Sequence, residues 1–271
     1  MSSLTPEYYV NLGLQKFADL IYMSLPRRRP SLQALSDCKL VSHRGEHDNH
    51  QVRENTLAAF SRVEAAGVWG IEFDVRWTRD LEPVVIHDPT SGRVFQVDLE
   101  IAEVDLFEIR QRIPELPTLA EVIDRFGGRM HLMVELKADT IDADAQKRDC
   151  IRSLFSTLTP GIDYHFLALQ PELFSLVEFA GSTACLPVAE YNVRQMSQQA
   201  LNGQMAGVSG QYLLLGKRTI QRHRKQQQKI GTGFAASRFC FYRELNRGVD
   251  WIFTNHAIKL AAIREELLRN G

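Results

Sequence analysis

The sequence predicts an α/β chain closed as a TIM-type (β/α)8 barrel, and three observations carry that expectation. Short apolar runs alternate with longer segments of helical spacing, the pattern of parallel strands joined by crossover helices. The runs occupy residues 39–43, 70–77, 83–87, 131–136, 165–169, 185–190, 205–210, 230–235 and 249–253. Between the second and third runs lie only residues 78–82, too few for a parallel crossover, so 83–87 is expected to return as a hairpin. Setting it aside leaves eight runs, the number that closes a barrel, and 271 residues suit one such domain.

In chain order, the first thirty-six residues form a helical appendage and residues 37–271 the barrel domain. Val10, Leu14, Phe17, Leu20, Ile21 and Leu25 fall at helical spacing, and Pro26-Arg27-Arg28-Arg29-Pro30 ends the pattern. This helix is expected to pack across one barrel end. A lipid-surface role is less favoured, because such helices spread their basic residues along one face. In the first crossover Asn55 and Thr56 supply N-cap side chains, residues 57–66 keep helical spacing, and Gly67 stands where a left-handed C-terminal residue belongs. The basic run 217–229 reads as a solvated helix face, with Lys217 nearest a strand end.

Composition narrows the function classes. A net charge of −1 gives no global attraction to nucleic acid, so none is expected as a partner. Cys38, Cys150, Cys185 and Cys240 stand too far apart in sequence for a zinc or redox motif and are expected as reduced thiols. Neither a signal peptide nor a run of about 20 apolar residues is present, and the expected location is the cytoplasm.

In such barrels active residues gather at the C-terminal strand ends. Four ends carry ionisable groups: Val41-Ser42-His43-Arg44-Gly45, Ile71-Glu72-Phe73-Asp74, Val85-Ile86-His87-Asp88 and Met133-Val134-Glu135-Leu136-Lys137. Glu72 and Asp74 are two apart, as are Glu135 and Lys137, so each pair leaves its strand on one face, the barrel interior. Three carboxylates in one mouth require compensation. A hard divalent cation, Mg2+ or Ca2+, held by Glu72, Asp74 and Glu135 supplies it. The competing account is internal salt bridging with Lys137 and Arg44. His43 and His87 flank this cluster and suit acid/base work near neutral pH, although a lone histidine at either place would more often be structural. Arg44 and Lys137 are placed to meet a phosphate. Gln170, Glu190 and Gln211 are weaker pocket candidates.

The ordered set His43-Arg44-Gly45, Glu54-Asn55-Thr56, Glu72-x-Asp74-Val75, Thr78-x-Asp80, Val85-Ile86-His87-Asp88 and Glu135-Leu136-Lys137 resembles the glycerophosphodiester phosphodiesterase family. The likeness is dense over residues 40–137 and looser beyond, ending in Gly248-Val249-Asp250-Trp251-Ile252-Phe253-Thr254. It implies a divalent ion on Glu72, Asp74 and Glu135, with His43 and His87 as the acid/base pair. It also implies substrates such as glycerophosphocholine or glycerophosphoethanolamine, cut to glycerol 3-phosphate and an alcohol. The chain departs from the pattern at Arg53 (Pro in the family), Leu81 (Gly) and Asn255 (Asp), and residues 231–236 replace a late-strand Trp-Thr pair. The wall facing the alcohol or glycerol is therefore expected to differ. Two alternatives accompany this reading. One is phospholipase D-like cleavage of lysophospholipids or sphingolipids by the same site, and the other is a non-catalytic phosphoester-binding barrel.

Overall fold

A computed structural model describes residues 25–270. The first helical pattern, residues 6–25, lies outside the described residues except for its last member. Ser31 caps α1 (Leu32–Asp37), Leu35 is fully buried in the main core, and Arg29 donates to the carbonyls of Leu267 and Asn270 in the last helix, at 2.6 and 3.2 Å.

The barrel begins with β1 (Lys39–His43), followed by α2 (Leu57–Ala65) and β2 (Gly70–Trp77). β3 (Pro83–Val85) pairs antiparallel with β2, as the short connection demands. Parallel strands β4 (His131–Leu136), β5 (Tyr164–Ala168), β6 (Cys185–Ala189), β7 (Gly207–Gln211), β8 (Lys229–Gly233) and β9 (Trp251–Thr254) complete the wall. Their order is β1-β9-β8-β7-β6-β5-β4-β2, and the β1–β2 pairing closes the ring. Among the described residues no helix is long and apolar enough to cross a membrane.

The strand alternation sorts residues into two cores. On β2, Ile71, Phe73 and Val75 point outward to the helices, and on β4 Leu132, Val134 and Leu136 do the same. The opposite faces fill the barrel. Val41, Met133, Leu167, Leu186 and Phe253 pack its middle. Gly231 makes this possible, since a Cβ there would lie 2.8 Å from the Phe253 ring and 2.7 Å from Ser209 Oγ. One layer higher come Glu72, Asp74 and Glu135, and register sets Asp74 beside Glu135 and His43 beside Glu72.

Two local expectations are refined. Thr56 Oγ1 caps α2 by accepting from the Ala59 N–H, and Gly67 is left-handed at φ 66°. Asn55 is not a capping side chain: it takes φ 57° and turns its amide into the barrel. The alternation of strands and helices in the sequence predicts no structure for the segment after β3. It folds as an insertion containing α3 (Gly92–Phe95), a 3-10 turn (Ile101–Glu103) and α4 (Leu106–Arg112), around a satellite core of Val84, Ile86, Val94, Leu99, Ile109 and Leu116.

At the N-terminal barrel end, His131 stacks on Trp69 and His165 meets Trp251 edge-on. His131 Nδ1 lies 2.8 Å from the Ile162 carbonyl, so it must donate. Its Nε2 then accepts from His165 Nδ1–H, also at 2.8 Å. Burial lowers His131 to about 4 and His165 to about 3. Both are neutral in the fold yet titrate near 6.5 when unfolded, so the unfolded chain binds more protons between these limits. Their contribution to stability is complete above about pH 6.5 and is lost as pH falls toward 4. Denaturant unfolding across this window should show stability falling with acid, and His131→Gln should flatten part of the slope. An unchanged slope would refute the neutral-pair description.

Candidate active site

At the C-terminal barrel end, ligand atoms of Glu72, Asp74 and Glu135 all lie within 4.8 Å of one another. Strand register enforces this, because Asp74 and Glu135 are directly paired on neighbouring strands. Asp74 has the most partners. Its Oδ1 lies 2.8 Å from Lys137 Nζ, and its Oδ2 lies 3.2 Å from Arg44 Nε and accepts from Asn55 Nδ2 at 2.9 Å. Lys137 also bonds Glu135. Burial alone would raise Asp74, but Lys137 and Arg44 outweigh it and hold the carboxyl well below its ordinary range. The salt bridging weighed from sequence is thus present for two of the three acids.

Glu72 has no such partner. Its Oε1 is buried without a hydrogen bond, and its Oε2 receives only the Arg44 backbone N–H at 3.3 Å and lies 3.8 Å from His43 Nε2. Burial first, then repulsion from Asp74 and Glu135, push its carboxyl well above the usual range. An orphaned, buried carboxylate oxygen facing two other carboxylates is the donor set of a hard divalent cation, so the residues present fit such an ion.

Arg44 adopts φ 58°, which turns its N–H to the Glu72 carbonyl at 2.8 Å and sends its guanidinium back over the mouth. There it bonds Glu54 at 3.0 Å. Gly45 follows at φ 82°, and a Cβ on it would meet Ala59 Cβ at 2.7 Å, so only glycine lets α2 approach this turn.

The two histidines have unlike partners. His43 Nδ1 lies 2.7 Å from Asn255 Oδ1, an oxygen that only accepts, so Nδ1 carries hydrogen and Nε2 presents its lone pair to the site. The Phe234 ring stands edge-on to His43 with centroids 4.7 Å apart. Burial, then the Arg44 charge, lower His43 to about 3. His87 lies just beyond β3, and its Nδ1 donates to Asp88 Oδ1 at 2.6 Å. His47 Nδ1 lies 3.0 Å from the Gly45 carbonyl, and its Nε2 lies 3.9 Å from Glu54 Oε2.

All seven residues expected from sequence therefore meet at one mouth. Gln170 and Glu190 are exposed, Gln211 is half-buried at the end of β7, and Lys217 is exposed at a helix start. The partners of the site went unread as site residues: Glu54, Asn55, Asp88, Arg93, Phe234 and Asn255. Asp88 carries a signal in following His87, and Asn55 in the Glu54-Asn55-Thr56 motif, whereas Arg93 carries none.

The model of the glycerophosphoryl diester phosphodiesterase family matches residues 43–229. A glycerophosphodiester phosphodiesterase of Caldanaerobacter subterraneus is 35% identical over 114 residues, 38% of this chain and 46% of that protein. The human glycerophosphodiester phosphodiesterase 1 is 30% identical over 113 residues, 35% of this chain and 34% of that protein. The matched segments thus span less than half of these relatives. Among solved structures, a Thermotoga maritima glycerophosphodiester phosphodiesterase superposes with TM-score 0.71 at 20% identity, covering 83% of this chain and 98% of that one. An Oleispira antarctica phosphodiesterase solved with its product sn-glycerol-3-phosphate gives TM-score 0.71 at 20% identity, covering 86% and 99%. These last likenesses concern the fold.

The raised Glu72 carboxyl sets the sign of a stability test. Its favourable contribution is present below the unfolded pKa and lost as pH rises through the folded one, so at neutral pH the burial of this carboxyl opposes folding. Glu72→Gln should therefore raise the Tm of chelated protein near pH 7. It should also weaken the Tm rise produced by Mg2+ or Ca2+, an effect worth about 2.7 kcal/mol at a hundred times Kd. A lower Tm in chelator with an unchanged metal response would refute the shared-ion site.

Proposed function

Because the chain belongs to the glycerophosphoryl diester phosphodiesterase family, we propose that it hydrolyses glycerophosphodiesters to glycerol 3-phosphate and an alcohol at the Glu72–Asp74–Glu135 mouth. The single observation that carries this reading is the convergence of three carboxylates, two cations and two differently partnered histidines on four strand ends of one barrel. Glu72, Asp74 and Glu135 would hold a divalent ion, Mg2+ or Ca2+, which when bound supplies positive charge to phosphate oxygens.

The chain's own residues divide the rest of the work. Arg44 and Lys137 keep positive charge beside the carboxylates, where the phosphate enters, and favour the charge that develops on its oxygens. His43, with hydrogen on Nδ1 and its lone pair on Nε2, takes the proton of the attacking hydroxyl. His87, backed by the Asp88 carboxylate, gives a proton to the departing alcohol oxygen as the P–O bond breaks. If the glycerol 2-hydroxyl attacks first, the cyclic phosphate it forms is opened by water with the two roles exchanged. Asn255 and Asp88 fix the ring orientations that both steps need.

With glycerophosphocholine and glycerophosphoethanolamine as substrates, EDTA should abolish turnover and Mg2+ or Ca2+ should restore it. His43→Ala and His87→Ala should each lower kcat by about 10²- to 10⁴-fold with the fold retained. The double variant should be little worse than the poorer single one, because the two act as a unit. His131→Ala, at the opposite barrel end, should turn over nearly as the parent does. Near-normal kcat in both folded single variants would end the two-histidine mechanism.

A further inference from the structure

The insertion is built around its own apolar core, yet it sends one charged side chain into the barrel mouth. Arg93, in α3, has all three guanidinium nitrogens committed. Its Nε donates to Asp88 Oδ2 at 2.5 Å, its Nη1 to Glu54 Oε2 at 3.1 Å and its Nη2 to Glu54 Oε1 at 2.7 Å. A planar fork spanning two carboxylates holds them in a way that a point charge cannot.

The two carboxylates differ in rigidity. Asp88 and His87 are partly open to solvent, their side chains 22% and 34% exposed, so their mutual bond alone leaves the pair free to turn. Glu54 is 5% exposed and fixed from several sides. Asn49 Nδ2 donates to it at 2.8 Å, Asn49 Oδ1 accepts its N–H at 2.8 Å, and Arg44 adds a bond at 3.0 Å. Arg93 therefore transfers the rigidity of Glu54 to Asp88, and through Asp88 to the imidazole. The insertion is in turn held to the β1–α2 loop by Arg53. Its Nε donates to the Val94 carbonyl at 3.1 Å, its guanidinium lies 5.6 Å over the Phe95 ring, and it bonds Glu115.

We propose that Arg93 is a positioning residue for His87, acting through Asp88 from its anchor on Glu54, so that the insertion sets the aim of the proton donor. This rests on the reading of His87 as that donor. Because Glu54 also bonds Arg44, which bonds Asp74, a continuous ionic chain runs from His87 to the carboxylate cluster. Loss of Arg93 breaks only its outer half, since Glu54 keeps Arg44 and Asn49.

A double-mutant cycle tests this on the full chain with glycerophosphocholine and saturating Mg2+ or Ca2+. Arg93→Ala should lower kcat roughly 10- to 100-fold, the scale of misplacing a catalytic group by a fraction of an ångström to one ångström. KM should change by no more than about threefold, because uniform binding is untouched. On the His87→Ala background the same substitution should cost no further kcat, since the group it aims is gone. Arg93→Lys, which keeps the charge but loses the fork, should recover only part of the loss, and it carries the cycle should Arg93→Ala not fold. An equal loss on both backgrounds, or a loss confined to KM, would overturn the assignment while leaving His87 as donor. Full turnover by His87→Ala would instead overturn the donor reading, and the assignment of Arg93 with it.

Discussion

Asp74 is the interaction on which the rest of the site depends. It is fully buried, and its charge survives there only because Lys137, Arg44 and Asn55 all point at it. Each partner reaches it by a separate structural cause. Lys137 follows the β4 residue paired with β2, Arg44 bends back through a left-handed backbone, and Asn55 does the same at the head of α2. Replacing Asp74 would therefore take a shared partner from Lys137, Arg44 and Asn55 at once, the costly direction for buried ions. The cations so used leave Glu72 short of compensation. The fit of the carboxylate cluster to a divalent ion is thus a result of how Asp74 is satisfied.

The histidines show how similar strand ends acquire different chemistry. An amide oxygen on His43 Nδ1 fixes a neutral tautomer with a lone pair facing the carboxylates. On His87 the Nδ1 partner is instead a carboxylate, which accepts the ring hydrogen at 2.6 Å. One partner is local and the other is not, for Asp88 directly follows His87 whereas nothing near His43 in the sequence announces its amide partner. The distinction lies in Asn255, beyond β9, and in an arginine from the insertion that holds Asp88.

Parallel barrel strands were legible because both of their faces are buried, so they stand out as apolar runs that polar helices interrupt. The ionisable residues inside those runs were legible for the same reason: charge within an apolar run needs a cause. Asn55 was misassigned because Asn before a helix is a sound capping signal, and only the third dimension shows that Thr56 suffices. The insertion was illegible because its helices are four and seven residues long, too short for periodicity to register. Arg93 and Glu54 are thirty-nine residues apart, so no local pattern links them.

The late strand carries the argument furthest from the family pattern. Residues 231–236 read Gly-Thr-Gly-Phe-Ala-Ala, and their small side chains are a packing requirement as much as a departure. Gly231 must be small for Phe253 to fill the barrel, and Thr254 Oγ1 donates to the Ala235 carbonyl at 2.6 Å, tying β9 to the segment after β8. With this backbone held close, Phe234 is the one large side chain the segment presents, and its ring lies against His43. An aromatic edge there excludes water from one flank of the imidazole and offers an apolar surface without a hydroxyl donor. The same contact also adds to the burial that lowers His43, so the substituted wall acts on the proposed base itself.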